Sequence, residues 1–404
     1  MVVKVLSGVV AGKVVAEFLG PAGYALTGNL RNFLTSVDTF STLGVQNGII
    51  KYVAENEKNE VRLHRILSTV FISIFAMALL MSVALFFSAG YLNETIFGRS
   101  SEYAWVFKVL AFTLPWHAGN IIFMAVINGL GKFKEVIAIN MAGNVLGLGI
   151  SCLLIWQLHI PGALLGLIIT PALLFVFSFY RVYRQFKGFT FLKRKNFDGN
   201  IIRRLLSYSL MSVVTAILGP IIFITIRNTI VTKSGIDAAG LWEAINRISF
   251  FSMMFVTTLL TVYFLPKLST ASDNSETRGV FFSYFKAILP IFMAGCIAIY
   301  FLRGFIIRVM LSKDFLPMRE LFFWQMVGDV FKVASLILGY QFFAKKMTRA
   351  FITTEIISFA VLYFSSICFI DIYGAEGAVM AHAFTYAVYF LVLCVWFRKI
   401  LFKY

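Results

Sequence analysis

Charge is what this chain has least of for its length. Only 14% of its 404 residues are Asp, Glu, Lys or Arg, where a soluble domain carries roughly 25%. Hydrophobic residues make up 59% and aromatic residues 16%, and the mean hydropathy is +0.84. One water-facing core cannot hide that much apolar surface, so the composition excludes a soluble globular protein and indicates a polytopic membrane protein. Cysteine is scarce. Cys152, Cys296, Cys368 and Cys394 each fall inside an expected helix without a pairing pattern, which excludes a disulfide framework and leaves them as small core residues. Enzyme signatures are missing as well. The nearest approach to a phosphate loop, Gly8 to Gly12-Lys13-Val14, has three intervening residues where four are needed, lacks the Ser/Thr and lies inside an expected span. No HExxH, paired CxxC or GxSxG occurs. The longest outer loop expected, 90–101, is too short to carry the catalytic groups of a membrane glycan polymerase. No enzymatic activity, metal or cofactor is therefore expected, and active transport would draw on an ion gradient or on the substrate's own gradient.

Basic residues outnumber acidic ones by 36 to 19, for a net charge of +17. Their distribution argues against nucleic acid as the partner. Twelve helices are expected, near 2–20, 24–54, 63–90, 102–130, 134–158, 160–185, 202–232, 238–270, 280–311, 317–344, 348–370 and 374–400. The first has no small-residue cleavage site and reads as a retained span. With both termini in the cytoplasm, Lys51, Lys58, Arg62 and Arg65 share one inner loop and Lys132 and Lys134 the next. The dense group at 181–204 follows, then Lys267, Arg278 and Lys286, then Lys345, Lys346 and Arg349, and finally Arg398, Lys399 and Lys403. The outer loops hold few, such as Arg99, Lys233 and Lys313. This bias predicts cytoplasmic N- and C-termini, with the surplus charge serving topology and contact with membrane lipids.

The chain repeats itself once. Ala22-Gly23 aligns with Ala239-Gly240, Asn29 with Asn246, and Lys51 lies beside the position of Lys267. Trp116, Gly119 and Asn120 align with Trp324, Gly328 and Asp329, and Gly162-Ala163 with Gly377-Ala378, all at a nearly constant offset. The expected architecture is all-α, with two parallel six-helix lobes at 1–186 and 201–404 joined by a basic cytoplasmic linker at 187–200. Parallel repeats of this kind place a substrate site between the halves and work by alternating access.

Polar residues recur at helical spacing within the apolar spans. In the tenth, Gln325, Asp329 and Lys332 step by four and three and share one face. An ionisable group at the bilayer centre costs roughly 2.5–3.5 kcal/mol on insertion scales, so it needs a partner or a wet cavity. In the second, Thr27, Arg31, Thr35, Asp38, Thr42 and Gln46 make a longer stripe, whose plainer reading is a packing face. Glu243 and Arg247 are spaced as a local ion pair, and Arg227 follows a kink at Gly219-Pro220. Lys108, Asn120, Glu355 and His382 with Tyr386 add scattered polar groups; His382 reads as a satisfied core histidine. The substrate-facing candidates are Arg31, Asp38, Lys108, Asn120, Arg227, Arg247 and Lys332. Cations dominate this set, and the arginine fork donates two parallel hydrogen bonds to phosphate, so an anionic, amphipathic substrate is expected. A cationic drug would want carboxylates and aromatic faces instead. For ion coupling and gating the candidates are Glu355, Asp38 and Asp329. Lys332, one turn from Asp329, predicts a standing ion pair there, which leaves Glu355 first and Asp38 second.

Gly20-Pro21-Ala22-Gly23, Asn47-Gly48 with Lys51-Tyr52-Val53-Ala54, Leu265-Pro266, and above all Trp324 through Val333 with Glu355 downstream carry a resemblance. The chain resembles the Wzx-type polysaccharide-repeat flippases of the multidrug/oligosaccharidyl-lipid/polysaccharide (MOP) exporter superfamily, most closely the lipid III flippase branch. The resemblance runs from the first helix to the last. It implies a twelve-helix, two-lobed exporter that moves undecaprenyl-diphosphate-linked oligosaccharide from the cytoplasmic to the periplasmic leaflet for O-antigen or related lipopolysaccharide assembly. It also implies proton or sodium as coupling ion, action as a monomer, and polysaccharide polymerase and chain-length proteins as partners. Arg31, Arg227, Arg303, Asp329, Lys332 and Glu355 fall where the resemblance puts charged residues. The chain departs from the family at its start, where Met1 leads directly into Val2-Val3-Lys4 and members carry a longer first helix. A cation/drug antiporter of the same superfamily would share the fold, and would carry an acid-dominated lobe.

Overall fold

The computed structural model describes residues 2–98, 102–186 and 188–402; Arg99, Lys187 and Lys403, counted above among the loop charges, lie outside them. Among the described residues every regular element is a helix. In chain order these are α1 (Val2–Ser41), α2 (Gln46–Asn56), α3 (Glu60–Phe97), α4 (Ala104–Gly129), α5 (Phe133–Gln185), α6 (Gly199–Ser234), α7 (Ile236–Leu259), α8 (Leu265–Thr270), α9 (Asn274–Met310), α10 (Phe322–Ala344), α11 (Thr348–Tyr373), α12 (Ala375–Trp396) and α13 (Arg398–Leu401). Ten helical stretches among the described residues are long and apolar enough to cross a bilayer. The expectation of twelve differs at α1 and α5, which run on through one residue each with non-helical dihedrals, Gly20 (φ 62°, ψ −167°) and His159 (φ 56°, ψ −125°).

Contacts divide the chain into two compact units. The first holds Met1–Phe18 and Asn29–Pro220, the second Leu19–Gly28 and Ile221–Tyr404. The boundary between them in α6 falls directly after Pro220. Within the first unit, α4 packs on α3 and on α5, and α2 lies across α4. The segment after α5 is built into this unit: Phe191 is fully buried among Ile66, Leu67, Val70 and Leu205. Ser68 Oγ donates to Lys193 O (2.9 Å), and Asp198 N donates to Thr69 Oγ1 (3.0 Å). Within the second unit, α10 and α11 each pack against α12, and α10 packs against α9.

Much of the outer surface is apolar. In the hydrophobic window of α9 only 6% of residues are buried, and Phe301 and Phe305 are 77% and 66% exposed. A helix that is apolar all round and uncovered by protein is covered by lipid.

The internal repeat is visible in backbone geometry. His159 and Gly374 hold nearly the same dihedrals (φ 56°, ψ −125° and φ 58°, ψ −137°). Three residues after each, Gly162 and Gly377 press directly on the carbonyls of Leu154 and Phe369, where a side chain would collide. Gly20 and Gly235 likewise precede corresponding helices with positive φ. The two halves therefore turn their helical hairpins in the same way, one with glycine at the left-handed position and one with histidine.

Two expectations are corrected. The helix expected over 24–54 ends at Ser41: Leu43 and Gly44 adopt positive φ (55° and 60°), and a new helix starts at Gln46. The outer loop expected at 90–101 is mostly helix, because α3 continues to Phe97.

Candidate functional site

The first unit holds a polar cluster around α1 and α4. The threonines of the α1 stripe spend their hydroxyls on their own helix: Thr35 Oγ1 donates to Arg31 O (3.1 Å) and Thr42 Oγ1 to Asp38 O (2.6 Å). Thr42 and Gln46 lie beyond the end of α1, so the continuous stripe is shorter than its six residues suggest. Arg31 and Asp38 are left to reach outward, and both are half-buried. Asp38 Oδ1 lies 3.3 Å from His117 Nδ1 on α4. One turn on from His117, Asn120 is buried and accepts from Ser178 Oγ of α5 (2.8 Å). Lys108 stands apart, exposed, with its ammonium 5.7 Å from the centre of the Phe86 ring.

The second unit holds two clusters. In one, Arg227 of α6 is fully buried and forms an ion pair with Glu243 of α7, its guanidinium 5.3 Å from the centre of the Trp242 ring. Gly28 makes room for the acid: a Cβ there would lie 2.5 Å from Glu243 Cδ. Arg247 is half-buried and stacks on Phe250 and Phe251 at 5.3 and 5.4 Å.

In the other cluster, α10 supplies Gln325, Asp329 and Lys332, and α12 faces them with His382, Tyr386 and Tyr389. Asp329 is fully buried. Its Oδ1 lies 3.0 Å from His382 Nε2 and accepts from Gln325 Nε2 at 3.2 Å, while Oδ2 has no hydrogen-bond partner among the described residues. Gly328 permits this approach, since a side chain there would collide with the His382 ring and come within 3.0 Å of the Ala383 backbone. The standing Asp329–Lys332 ion pair expected from spacing is not formed: among the described residues the carboxylate meets His382 instead. The Lys332 ammonium sits 5.0 Å from the centre of the Tyr386 ring, within electrostatic reach of both Asp329 and Glu355. Glu355 on α11 is half-buried and accepts from Tyr389 Oη (3.3 Å). Arg303, on α9, packs its guanidinium 4.2 Å from the Tyr300 ring centre and donates to Tyr300 O (2.7 Å).

The structure thus groups Asp38 with His117 and Asn120 with Ser178 in one unit, and Arg227 with Glu243 and Asp329, Lys332 and Glu355 in the other. His117, Ser178 and Tyr389 were not singled out from the sequence. His117 sits at i−3 from Asn120, and Tyr389 continues the spacing of His382 and Tyr386, so helical periodicity carries a signal for both. Among the described residues no group of three or more His, Cys, Asp or Glu could hold a metal ion. What the clusters offer is fixed positive charge and hydrogen-bonded carboxylates inside an apolar bundle.

Comparisons with known proteins bear on these clusters. The profile of a family described as polysaccharide biosynthesis protein matches residues 2–272. The chain is 30% identical over 401 residues to the lipid III flippases of Escherichia coli (strain K12) and Shigella flexneri, covering 97% of this chain and 94% of each relative. Among solved structures, an inward-facing multidrug resistance MATE family transporter of the MOP superfamily superposes with a TM-score of 0.81 at 15% identity, over 98% of this chain and 94% of that one. A MOP superfamily transporter from Pyrococcus furiosus, whose binding pocket is described as having reversed polarity, superposes at 0.68 and 15% identity over 99% and 93%.

Proposed function

The chain belongs to the polysaccharide biosynthesis protein family, and on that premise we propose that it is a flippase. It carries oligosaccharide repeat units linked to undecaprenyl diphosphate from the cytoplasmic to the periplasmic leaflet of the inner membrane, by gradient-driven alternating access, for O-antigen or related surface polysaccharide. The observation that carries this reading is the near full-length likeness to proteins named lipid III flippase. The chemistry of the clusters supports it. A diphosphate is costly to bring into an apolar bundle unless fixed cations receive it. Arg31, Arg247 and Lys332, half-buried cations, are the residues proposed to receive it, with Asp38, Lys108 and Asn120 proposed for diphosphate or sugar. Arg227 is enclosed with Glu243 and contributes when that pair opens. The basic loops and both termini face the cytoplasm, and the protein acts as a monomer upstream of a polymerase and a chain-length regulator.

For coupling to protons or sodium, Glu355 ranks first among the carboxylates. It is half-buried and accepts a hydrogen bond from Tyr389, which leaves it nearer the surface than the enclosed Asp329. Asp38 beside His117 comes second, and Asp329, locked between His382 and Gln325, acts as a gating group. The fold likeness to MATE transporters favours a cation/drug antiporter as the second reading, but the cations Arg227 and Lys332 inside the second unit suit an anion better.

The test is complementation of strains lacking a flippase, over several repeat-unit structures, with Arg31→Ala expressed at the native level. Wild type should restore surface glycan for at least one repeat unit, and the variant should accumulate lipid-linked oligosaccharide without loss of protein. Failure of wild type across all repeat units, despite normal insertion, would sink the flippase reading. Near-normal glycan from Arg31→Ala would remove the residue from the site.

A further inference from the structure

A second cationic site lies outside these clusters, within the first unit. A cavity of about 480 Å³ opens where α2 gives way to α3 and where α6 begins, lined by Asn59, Arg62, Arg65, Asp198, Asn200 and Arg204 among others. Arg62 and Arg65 stand one turn apart near the start of α3, and Arg204 projects from the second turn of α6. Two acceptors of the lining bond to backbone: Asn59 Oδ1 accepts from Arg62 N (3.0 Å) and Asp198 Oδ1 from Asn200 N (2.9 Å). Neither Arg62 nor Arg65 has a carboxylate within 4.0 Å among the described residues, and all three arginines are exposed. Cations at the amino-terminal ends of helices oppose the helix dipole, and here three arginines stand against Asp198 in the cavity and Glu60 in the first turn of α3, which leaves the lining net positive. The first turn of α6 carries no acid to offset it. The walls are fixed in advance, because Asp198 N donates to Thr69 Oγ1 (3.0 Å) and Thr69 Oγ1 donates to Arg65 O (2.8 Å).

We propose that this cavity binds a phosphate group, held by the guanidinium forks of Arg62, Arg65 and Arg204. Its depth fits a phosphate at the membrane surface. The 38 residues of α3 span roughly 57 Å at 1.5 Å per residue, nearly twice the ~30 Å hydrocarbon core, so its first turns reach the headgroup layer. An anionic lipid headgroup and a soluble phosphate compound present the same oxygens to these arginines. The site does not depend on the transport reading, since it is defined by binding alone.

The experiment uses the purified full chain and its thermal midpoint. In one arm the protein is placed in phosphatidylcholine vesicles with and without one quarter phosphatidylglycerol. In the other, detergent-solubilised protein is titrated with inorganic pyrophosphate. Each arm compares wild type, Arg62→Ala/Arg65→Ala, Arg62→Lys/Arg65→Lys, and Lys134→Ala as an exposed basic control on α5. A rise with phosphatidylglycerol that the double alanine variant loses and Lys134→Ala keeps supports the site with a lipid headgroup as its ligand. A rise with pyrophosphate, weakened about tenfold or more in apparent affinity by the double alanine change and partly restored by lysine, supports it with a soluble ligand. No rise in either arm, or equal rises in wild type and the double alanine variant, overturns the proposal.

Discussion

Removing Arg227 while leaving Glu243 in place tests whether the second unit depends on a desolvated ion pair. Arg227 is fully buried, Glu243 is 8% exposed, and the backbone at Gly28 packs directly against the carboxylate. Breaking a buried pair by deleting one partner costs about 3–5 kcal/mol, because the other charge stays unpaired in a medium of low dielectric. Loss of the Trp242 contact adds about 1–2 kcal/mol for a desolvated cation–π pair. Arg227→Met should therefore destabilise by roughly 4 kcal/mol or more, and Glu243→Leu by about 3–5 kcal/mol. Arg227→Met/Glu243→Leu should return to within about 1–2 kcal/mol of wild type, since well-packed apolar replacements of buried pairs are often close to neutral. Denaturant titration of the detergent-solubilised chain, followed by helical circular dichroism, reads the cycle directly. Two single variants each within about 1 kcal/mol of wild type would show that water reaches the pair and would refute the argument. Transport by the double variant then separates two roles. A stable but inactive protein assigns Arg227 to the substrate, and a stable, active one makes the pair structural.

Gly328→Ala should force α10 away from the His382 ring and the Ala383 backbone, destabilise by about 1–3 kcal/mol, and abolish any pH response of transport that depends on the Asp329–His382 contact; a wild-type melting midpoint would show that the contact yields easily. His159→Gly should raise stability by up to about 1 kcal/mol by relieving positive φ at an exposed residue, partly offset by glycine's backbone entropy. Gly374→Ala should lower it by about 1–3 kcal/mol, because its Cβ would also stand 2.6 Å from Ser234 Oγ; equal effects of opposite substitutions would contradict the backbone equivalence of the two hairpins. In proteoliposomes Glu355→Gln should lose stimulation by an imposed pH gradient while still binding substrate, and full stimulation in that variant with loss in Asp329→Asn would reverse the order of the coupling candidates.

How much of this was legible in the sequence follows from which interactions are local. The spans were readable because an apolar run of some twenty residues has few other uses. The break at His159 falls between two expected helices, since the Gly162-Ala163 match to Gly377-Ala378 marks a hairpin opening. The turn at 42–45 was not readable: Leu43 adopts positive φ, and nothing in a leucine announces that. At the clusters, the stripe of Gln325, Asp329 and Lys332 came from spacing along one helix, and spacing is all that a helix writes into its own sequence. What each member touches is set by the register of a neighbouring helix. Spacing therefore proposed Lys332 as the partner of Asp329, while the structure gives His382, and Glu243 pairs across helices with Arg227. Partners one turn apart on a helix can part toward different surroundings, as Lys332 does toward Tyr386. A carboxylate enclosed between helices meets whichever donor is buried with it. Gly28 and Gly328 enforce those meetings, each being the place where a second helix comes close enough to deliver Glu243 or His382. In an apolar bundle, glycines beside buried charges thus point to cross-helix pairs that charge spacing along one helix does not show.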